Sequence, residues 1–109
     1  MKKSLAAALL MAVVVALVGA AADLVYPGAA PAERSSYGTP PPGGSLYVTN
    51  DDPVTVGKWY VSQGARVSAQ VTAKGGLLLV GDPDTGTFIT LIGEDGKTYI
   101  QLLPASAAR

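Results

Sequence analysis

Six short apolar runs fill residues 45–104, and turn residues close each of them. The runs read SLYVT, VTVGKWYV, ARVSAQVT, LLLV, TFITLI and KTYIQLL, with Gly, Pro, Asn or Asp between most of them. Turn signals at intervals of about 8 to 12 residues are typical of small all-β folds. The pattern predicts one all-β domain over residues 45–104, a small antiparallel barrel or sandwich of about six short strands.

Two stretches carry the clearest signals, one for a strand and one for a hairpin turn. In ARVSAQVT, Ala65, Val67, Ala69 and Val71 alternate with polar residues, as in a half-buried antiparallel strand. The sequence GEDG between the last two runs predicts a tight hairpin turn. We expect the core to contain Leu46, Val48, Val56, Trp59, Val67, Val71, Leu77, Leu79, Phe88, Ile92, Ile100 and Leu102.

The N-terminus has the three parts of a secretory signal. Lys2 and Lys3 precede an apolar run over residues 5–18, and three alanines follow at positions 20–22. We predict that residues 1–22 are a signal peptide, cleaved after Ala22. The alternative is an uncleaved anchor over residues 5–22, because about 18 apolar residues approach the length needed to span a bilayer.

A Pro- and Gly-rich stretch separates this signal from the β domain. Pro lacks an amide hydrogen and Gly is entropically costly to order, so residues 23–44 are predicted to form a flexible, disordered linker. We interpret it as a spacer, and the alternative is a proline-motif ligand for a partner. Residues 105–109 are expected to be a disordered tail.

The composition excludes several kinds of chemistry. The chain has no Cys and no His, which removes disulfides, thiol catalysis, Cys or His zinc sites and His-dependent triads. Eight basic residues balance eight acidic ones, and basic patches interleaved with aromatics are absent, so we expect no nucleic-acid partner. We also predict no cofactor and no catalytic site.

The stretch GDPDTGT contains Asp84-Thr85-Gly86, the signature of aspartic proteases. That enzyme needs apolar residues before the Asp, whereas Pro83 precedes it here, and too few residues follow Gly86 to complete the lobe. Asp82 and Asp84 also resemble the opening of a calcium loop, but the later carboxylate ligand is missing. We predict a turn here and no metal site, and weak ion binding at the two acids is left open.

Two further sets of residues are candidates for a site. The acids Asp51 and Asp52 would join Glu94 and Asp95 only if the fold brings their turns together, and we expect separate, solvated turns.

The second set is aromatic. A strand through Trp59 and Tyr60 would send their rings to opposite faces, leaving one exposed. We expect Trp59, Tyr60, Tyr47 and Tyr99 to supply a partner-binding surface for a peptide or glycan, the alternative being ordinary cross-strand packing.

Residues 71–102 carry turn residues in a recognisable order: Thr72 and Gly75, then Asp84-Thr85-Gly86, then Asp95-Gly96. In this order they resemble the small SH3-like lipoproteins of the bacterial envelope, of the YgdI/YgdR type. The resemblance implies an SH3-like barrel, an envelope location and no known catalysis. Two features depart from that family: Ala20 stands where the lipidated Cys would be, and strands precede the matching region.

These observations predict an exported bacterial envelope protein, periplasmic or secreted, or held at the inner membrane if residues 5–22 are retained. Its β domain is expected to bind an envelope protein or polymer without catalysis. The first alternative is a self-assembling structural subunit that pairs through GGLLLVG, provided this strand lies on an edge. A more remote alternative is a hydrolase that uses Asp82 and Asp84.

Overall fold

The fold is a single antiparallel sheet with one helix packed against it. A computed structural model describes residues 24–108. Its elements in chain order are β1 (Ala30–Pro31), β2 (Ser45–Thr49), α1 (Pro53–Ser62), β3 (Arg66–Thr72), β4 (Gly75–Val80), β5 (Thr87–Glu94), β6 (Lys97–Pro104) and a 3-10 helix (Ala105–Ala108). The strand order is β1-β2-β6-β5-β4-β3, and every neighbouring pair is antiparallel. The predicted antiparallel, mainly β character is therefore confirmed.

The predicted signal peptide, its cleavage after Ala22 and the alternative anchor over residues 5–22 all lie outside the described residues. Within residues 24–108, no helix combines the length and the hydropathy that crossing a bilayer requires.

The segment VTVGKWYV, predicted as a strand, belongs instead to α1. The helix begins after Asp52 at Pro53, and Pro is well suited to the first helical turn because its missing amide is not needed there. Its buried residues are Pro53, Val56, Gly57 and Tyr60, a spacing of three and four that defines one face of a helix. The sheet still has six strands because the two-residue β1, which was not predicted, pairs with β2.

The turn between β5 and β6 follows the sequence prediction. The strands pair from Thr87 opposite Pro104 to Glu94 opposite Lys97, which leaves Asp95 and Gly96 as a two-residue loop. Both loop residues have positive φ, 54° and 74°, as a type I′ hairpin turn requires. The GEDG hairpin is thereby confirmed.

The main core lies between α1 and one face of the sheet, called here the helix face. Register places Leu78, Ile89 and Leu102 side by side on it, and all three are buried. The cluster comprises Leu24, Tyr26, Val56, Tyr60, Ala65, Leu78, Ile89, Leu91, Ile100 and Leu102. Six of the predicted core residues are buried: Leu46, Val56, Leu79, Ile92, Ile100 and Leu102.

Strand β3 departs from the expected half-buried strand. Almost all of its residues are exposed, Val71 being the partly buried one. Register shifts interrupt its pairing with β4, so Val67 lies opposite Leu78 on the helix face, whereas Ala69 lies opposite Leu77 on the other face. Strict alternation therefore fails, because bulges break the period of two. Val67, predicted as core, is 53% exposed.

The start of the predicted linker is part of the folded domain. Leu24 and Tyr26 are buried in the main core. Further along, β1 pairs with β2, and the Ala32 amide donates to the Leu46 carbonyl over 2.9 Å. The folded unit therefore begins at least at Leu24 rather than at residue 45.

The rest of this stretch crosses the sheet face that α1 does not cover. The Ser36 amide donates to Glu94 Oε1 over 3.2 Å at one end, and a Cβ on Gly44 would lie 3.3 Å from Leu103 Cδ1 at the other. By register, Glu94 and Leu103 both point away from the helix face. Residues 36–44 therefore connect these two ends of the sheet, with one tight turn between Ser35 and Gly38 and another between Pro41 and Gly44.

Candidate functional site

The best candidate site is an open cleft between the helix and the edge of the sheet, called here the α1/β3 groove. Its volume is about 550 Å³, within the range of pockets that bind ligands. It is lined by Val54, Gly57, Lys58 and Val61 from α1 and by Val67, Ser68, Gln70 and Val71 from β3.

The groove forms because the helix approaches β3 closely at one point and leaves it uncovered elsewhere. The close approach is at Gly57, where a Cβ would lie only 3.1 Å from Val71 Cγ1. Away from this contact, Val61 and Val67 remain 47% and 53% exposed. Exposed aliphatic side chains that share one cleft are a feature of interaction sites.

The groove is largely apolar, and the charged side chains on and beside its two elements are basic. Four valines make up half of the eight lining residues, and Lys58 is the one charged side chain among them. Arg66 begins β3, and its Nη2 donates to the Gly81 carbonyl over 3.1 Å. Lys74 follows the other end of β3. The groove is thus suited to holding aliphatic groups beside negative charge.

The predicted aromatic surface is not formed. Tyr60 is completely buried, and its hydroxyl donates to the Leu24 carbonyl. Burial raises the pKa of Tyr60 well above its ordinary value. Trp59 packs edge-to-face between Tyr26 and Tyr60, with ring centroids 5.5 and 4.9 Å away. Tyr60 therefore offers no ring to a partner, because α1 turns it into the core.

The two remaining predicted rings lie on opposite faces of the sheet. Tyr47 is opposite Ile100 and packs against the main core, whereas Tyr99 is opposite Val48 on the other face. The structure therefore does not bring the four rings together. The sequence analysis did not identify Val61 and Val67 as a binding surface. Predicting a helix over residues 53–62 would have placed Val61 on α1, where it lines the groove.

The acids expected in separate turns partly converge. Asp52, Glu94 and Asp95 line one shallow cavity of about 230 Å³, together with Lys97. The prediction of separate turns is corrected, because α1 begins beside the β5–β6 hairpin. Among residues 24–108, however, no three acidic side chains are arranged to hold a metal ion.

Asp51 and Asp52 have structural partners. The Tyr26 hydroxyl donates to Asp51 Oδ2 over 2.5 Å, which raises the pKa of Tyr26 to about 12. The Thr55 hydroxyl donates to Asp52 Oδ1 at the start of α1, and this bond lowers the pKa of Asp52. Both carboxylates thus help to position α1 and the segment before β1.

The loop that contains Asp84-Thr85-Gly86 is a turn, as predicted. The Gly86 amide donates to the Asp82 carbonyl over 2.6 Å, and the Ala105 amide donates to the Gly86 carbonyl over 2.8 Å. A Cβ on Gly86 would lie 2.0 Å from the Val80 carbonyl oxygen, so only glycine fits. Asp82 and Asp84 are exposed at the tip of the loop. Gly86 allows the chain to turn tightly between β4 and β5.

Comparison of the chain with protein-family models, with curated proteins and with solved structures found no significant match.

Proposed function

We propose that this is an exported protein of the bacterial envelope whose β domain binds another protein or an envelope polymer without catalysis. The observation that carries the proposal is the α1/β3 groove, where Val61 and Val67 stay about half exposed in a cleft of 550 Å³. Exposing two valines in one cleft keeps apolar surface in water, and a bound partner would remove it. Export rests on the signal-like residues 1–22.

The proposal includes kinship with the small SH3-like envelope lipoproteins. What supports it is the position of the matching residues. Thr72 and Gly75 flank the β3–β4 turn, Asp84-Thr85-Gly86 forms the β4–β5 turn, and Asp95-Gly96 forms the β5–β6 turn. The matching residues thus lie at the three turns that connect four consecutive antiparallel strands.

Site-specific cross-linking in cells tests the groove. A photoreactive amino acid replaces Val61 or Val67, and the control replaces Ala30 on β1, at the opposite edge of the sheet. We expect one cross-linked product of the same mass from positions 61 and 67 and none from position 30. Equal products from all three positions, or none from any, would contradict binding at the groove.

Cell fractionation with intact-mass measurement tests the location. A product lacking residues 1–22 in the periplasmic or secreted fraction is expected. A full-length chain in the membrane fraction would instead support the anchor over residues 5–22, with the same domain held at the inner membrane.

The second candidate function is a self-assembling envelope subunit. The segment GGLLLVG that suggested it is β4, which lies between β3 and β5 and so has no free edge. The observation that still favours assembly is that β3 is an edge strand of the described sheet. Sedimentation over a range of concentrations tests this candidate, and a monomer throughout would eliminate it. The hydrolase alternative predicts that Asp82→Ala with Asp84→Ala abolishes a turnover that the wild-type chain shows.

A further inference from the structure

Charge is unevenly distributed along the described chain. Residues 53–81, which form α1, β3 and β4, contain no Asp or Glu, and their three charged side chains are all basic: Lys58, Arg66 and Lys74. The other residues between 24 and 108 include seven acids (Glu33, Asp51, Asp52, Asp82, Asp84, Glu94 and Asp95) and two bases (Arg34 and Lys97). The groove therefore belongs to the positive part of a domain whose remainder is negative.

The outer side of β3 is available to another strand. In the described sheet β3 pairs only with β4, so the backbone groups on its other side have no strand partner. An extended segment can pair with such an edge while pockets take alternate side chains. Here the pocket adjoins the edge, because Val67 and Val71 belong to β3 itself and Val54 and Val61 face them from α1.

Charge decides between a second copy and a different partner. Edge-to-edge pairing of two β3 strands would bring two sets of Lys58, Arg66 and Lys74 together. Basic residues at a sheet edge oppose such pairing through like-charge repulsion. A segment with carboxylates would instead be attracted to the same residues.

We propose that the α1/β3 groove binds an extended, acidic segment of a partner protein, which adds as a strand to β3 and places aliphatic side chains at alternate positions between α1 and β3. Its carboxylates, which alternate with those side chains, point to the face away from α1 and are attracted by the net positive charge of Lys58, Arg66 and Lys74. This inference rests on the proposed function, because it identifies the partner of the same groove.

A synthetic peptide tests the chemistry directly. The probe is a labelled peptide of alternating Val and Glu with seven residues, the length of β3, and binding to the full-length chain is followed by fluorescence anisotropy. One control peptide replaces Glu by Lys, and a second replaces Val by Ser. We expect saturable binding of the Val-Glu peptide alone. Equal binding of the Ser-Glu peptide would show attraction to any polyanion and would overturn the proposal.

Variants of the chain test which basic residues attract the peptide. Replacing Lys58, Arg66 and Lys74 by Glu should weaken binding at least about tenfold, because three attractions become repulsions. The control Arg34→Glu with Lys97→Glu should weaken it by no more than about twofold, since those bases lie outside residues 53–81, the positive part of the chain that carries the groove. Lys58→Glu alone is a milder variant, because Lys58 is exposed and the bond from Arg66 to the Gly81 carbonyl is kept. It should weaken binding while the chain remains folded. Equal effects of the groove and control variants would contradict the proposal.

Backbone pairing is tested from the side of the peptide. Alternate residues of a strand direct their N–H groups to the same edge, so methylation of the Val nitrogens and methylation of the Glu nitrogens block opposite edges. We expect one of the two methylated peptides to lose binding and the other to retain it. Loss in both or in neither would overturn addition to β3.

Cross-linking and peptide binding together distinguish failure of the acidic-strand proposal from failure of the groove as a binding site. If cross-linking at positions 61 and 67 captures a partner but the Val-Glu peptide does not bind, the acidic-strand proposal is wrong and the groove remains a binding site. If cross-linking at those positions captures nothing, both proposals fail.

Discussion

The hydroxyl of Tyr60 donates a hydrogen bond to the carbonyl oxygen of Leu24, and thereby joins α1 to the first described residue of the chain. Both residues are buried. The contact is made across 36 positions of sequence, so it holds the segment before β1 against the helix.

Tyr60→Phe should remove this bond with little change of shape. It leaves the Leu24 carbonyl buried without its partner, which costs about 1–3 kcal/mol of the free energy of unfolding. Urea denaturation measures the change. Tyr37→Phe is the matched control, because Tyr37 is 82% exposed and its loss should stay within about 0.5 kcal/mol. Equal effects of the two substitutions would show that the Tyr60 bond contributes nothing.

Leu24→Ala tests whether the start of the presumed linker is part of the fold. Removal of a buried leucine side chain should lower the free energy of unfolding by about 2–5 kcal/mol. Glu33→Ala is the control, because Glu33 is exposed in the same stretch. A flexible linker would instead make both substitutions neutral in a denaturant titration.

Gly86→Ala should be more damaging than its conservative character suggests. Its Cβ would lie 2.0 Å from the Val80 carbonyl oxygen, so the β4–β5 turn must distort, at a cost of at least about 2 kcal/mol. At Gly96 there is free space and only a positive φ, so Gly96→Ala should cost about 1 kcal/mol. Thermal unfolding of both variants gives the comparison, and a smaller effect at Gly86 would contradict the described turn.

Stability should decline in alkaline solution through Tyr26. Its hydrogen bond to Asp51 and its burial raise its pKa from 10.0 to about 12 in the folded chain. Between these values the folded state holds more protons than the unfolded state, so the free energy of unfolding falls as pH rises. The contribution is complete below pH 10 and is lost as pH passes 12.

Denaturant titrations at several pH values from 9 to about 12 measure this decline. Tyr26→Phe should make it shallower, whereas Tyr37→Phe should leave it as in the wild type. If neither substitution changes the slope, Tyr26 does not carry the effect.

The strands and hairpins could be predicted because their signals are local. Asp95 and Gly96 sit between two apolar runs and adopt the positive φ that their turn type needs. The order of β3 to β6 follows from such turns. The helix was missed because Val54, Thr55 and Val56 are β-branched and Gly57 is a poor helix former, so propensity favoured a strand. The helix signal was nevertheless present in Asp52-Pro53 and in the spacing of Val56 and Tyr60.

The candidate site was beyond prediction for a related reason. The α1/β3 groove depends on a helix that was predicted as a strand, and bulges in β3 turn Ala69 to the face opposite Val67. Similarly, composition alone predicted that the Pro- and Gly-rich stretch is disordered. Its first residues are ordered because Leu24 and Tyr26 pack in the main core. Local propensity describes neither, because both arise from contacts between distant parts of the chain.

The burial of Leu24 also bears on the order of events in maturation. A cut after Ala22 would leave Asp23 alone between the cleaved bond and the packed core, and one residue reaches at most about 3.6 Å. A peptidase that binds an extended chain on both sides of the bond could not bind Leu24 once this residue was packed in the folded domain. Processing and folding would then compete for the same residues, and cleavage would have to come first. If residues 5–22 were instead retained as an anchor, Asp23 alone would separate them from the packed side chain of Leu24.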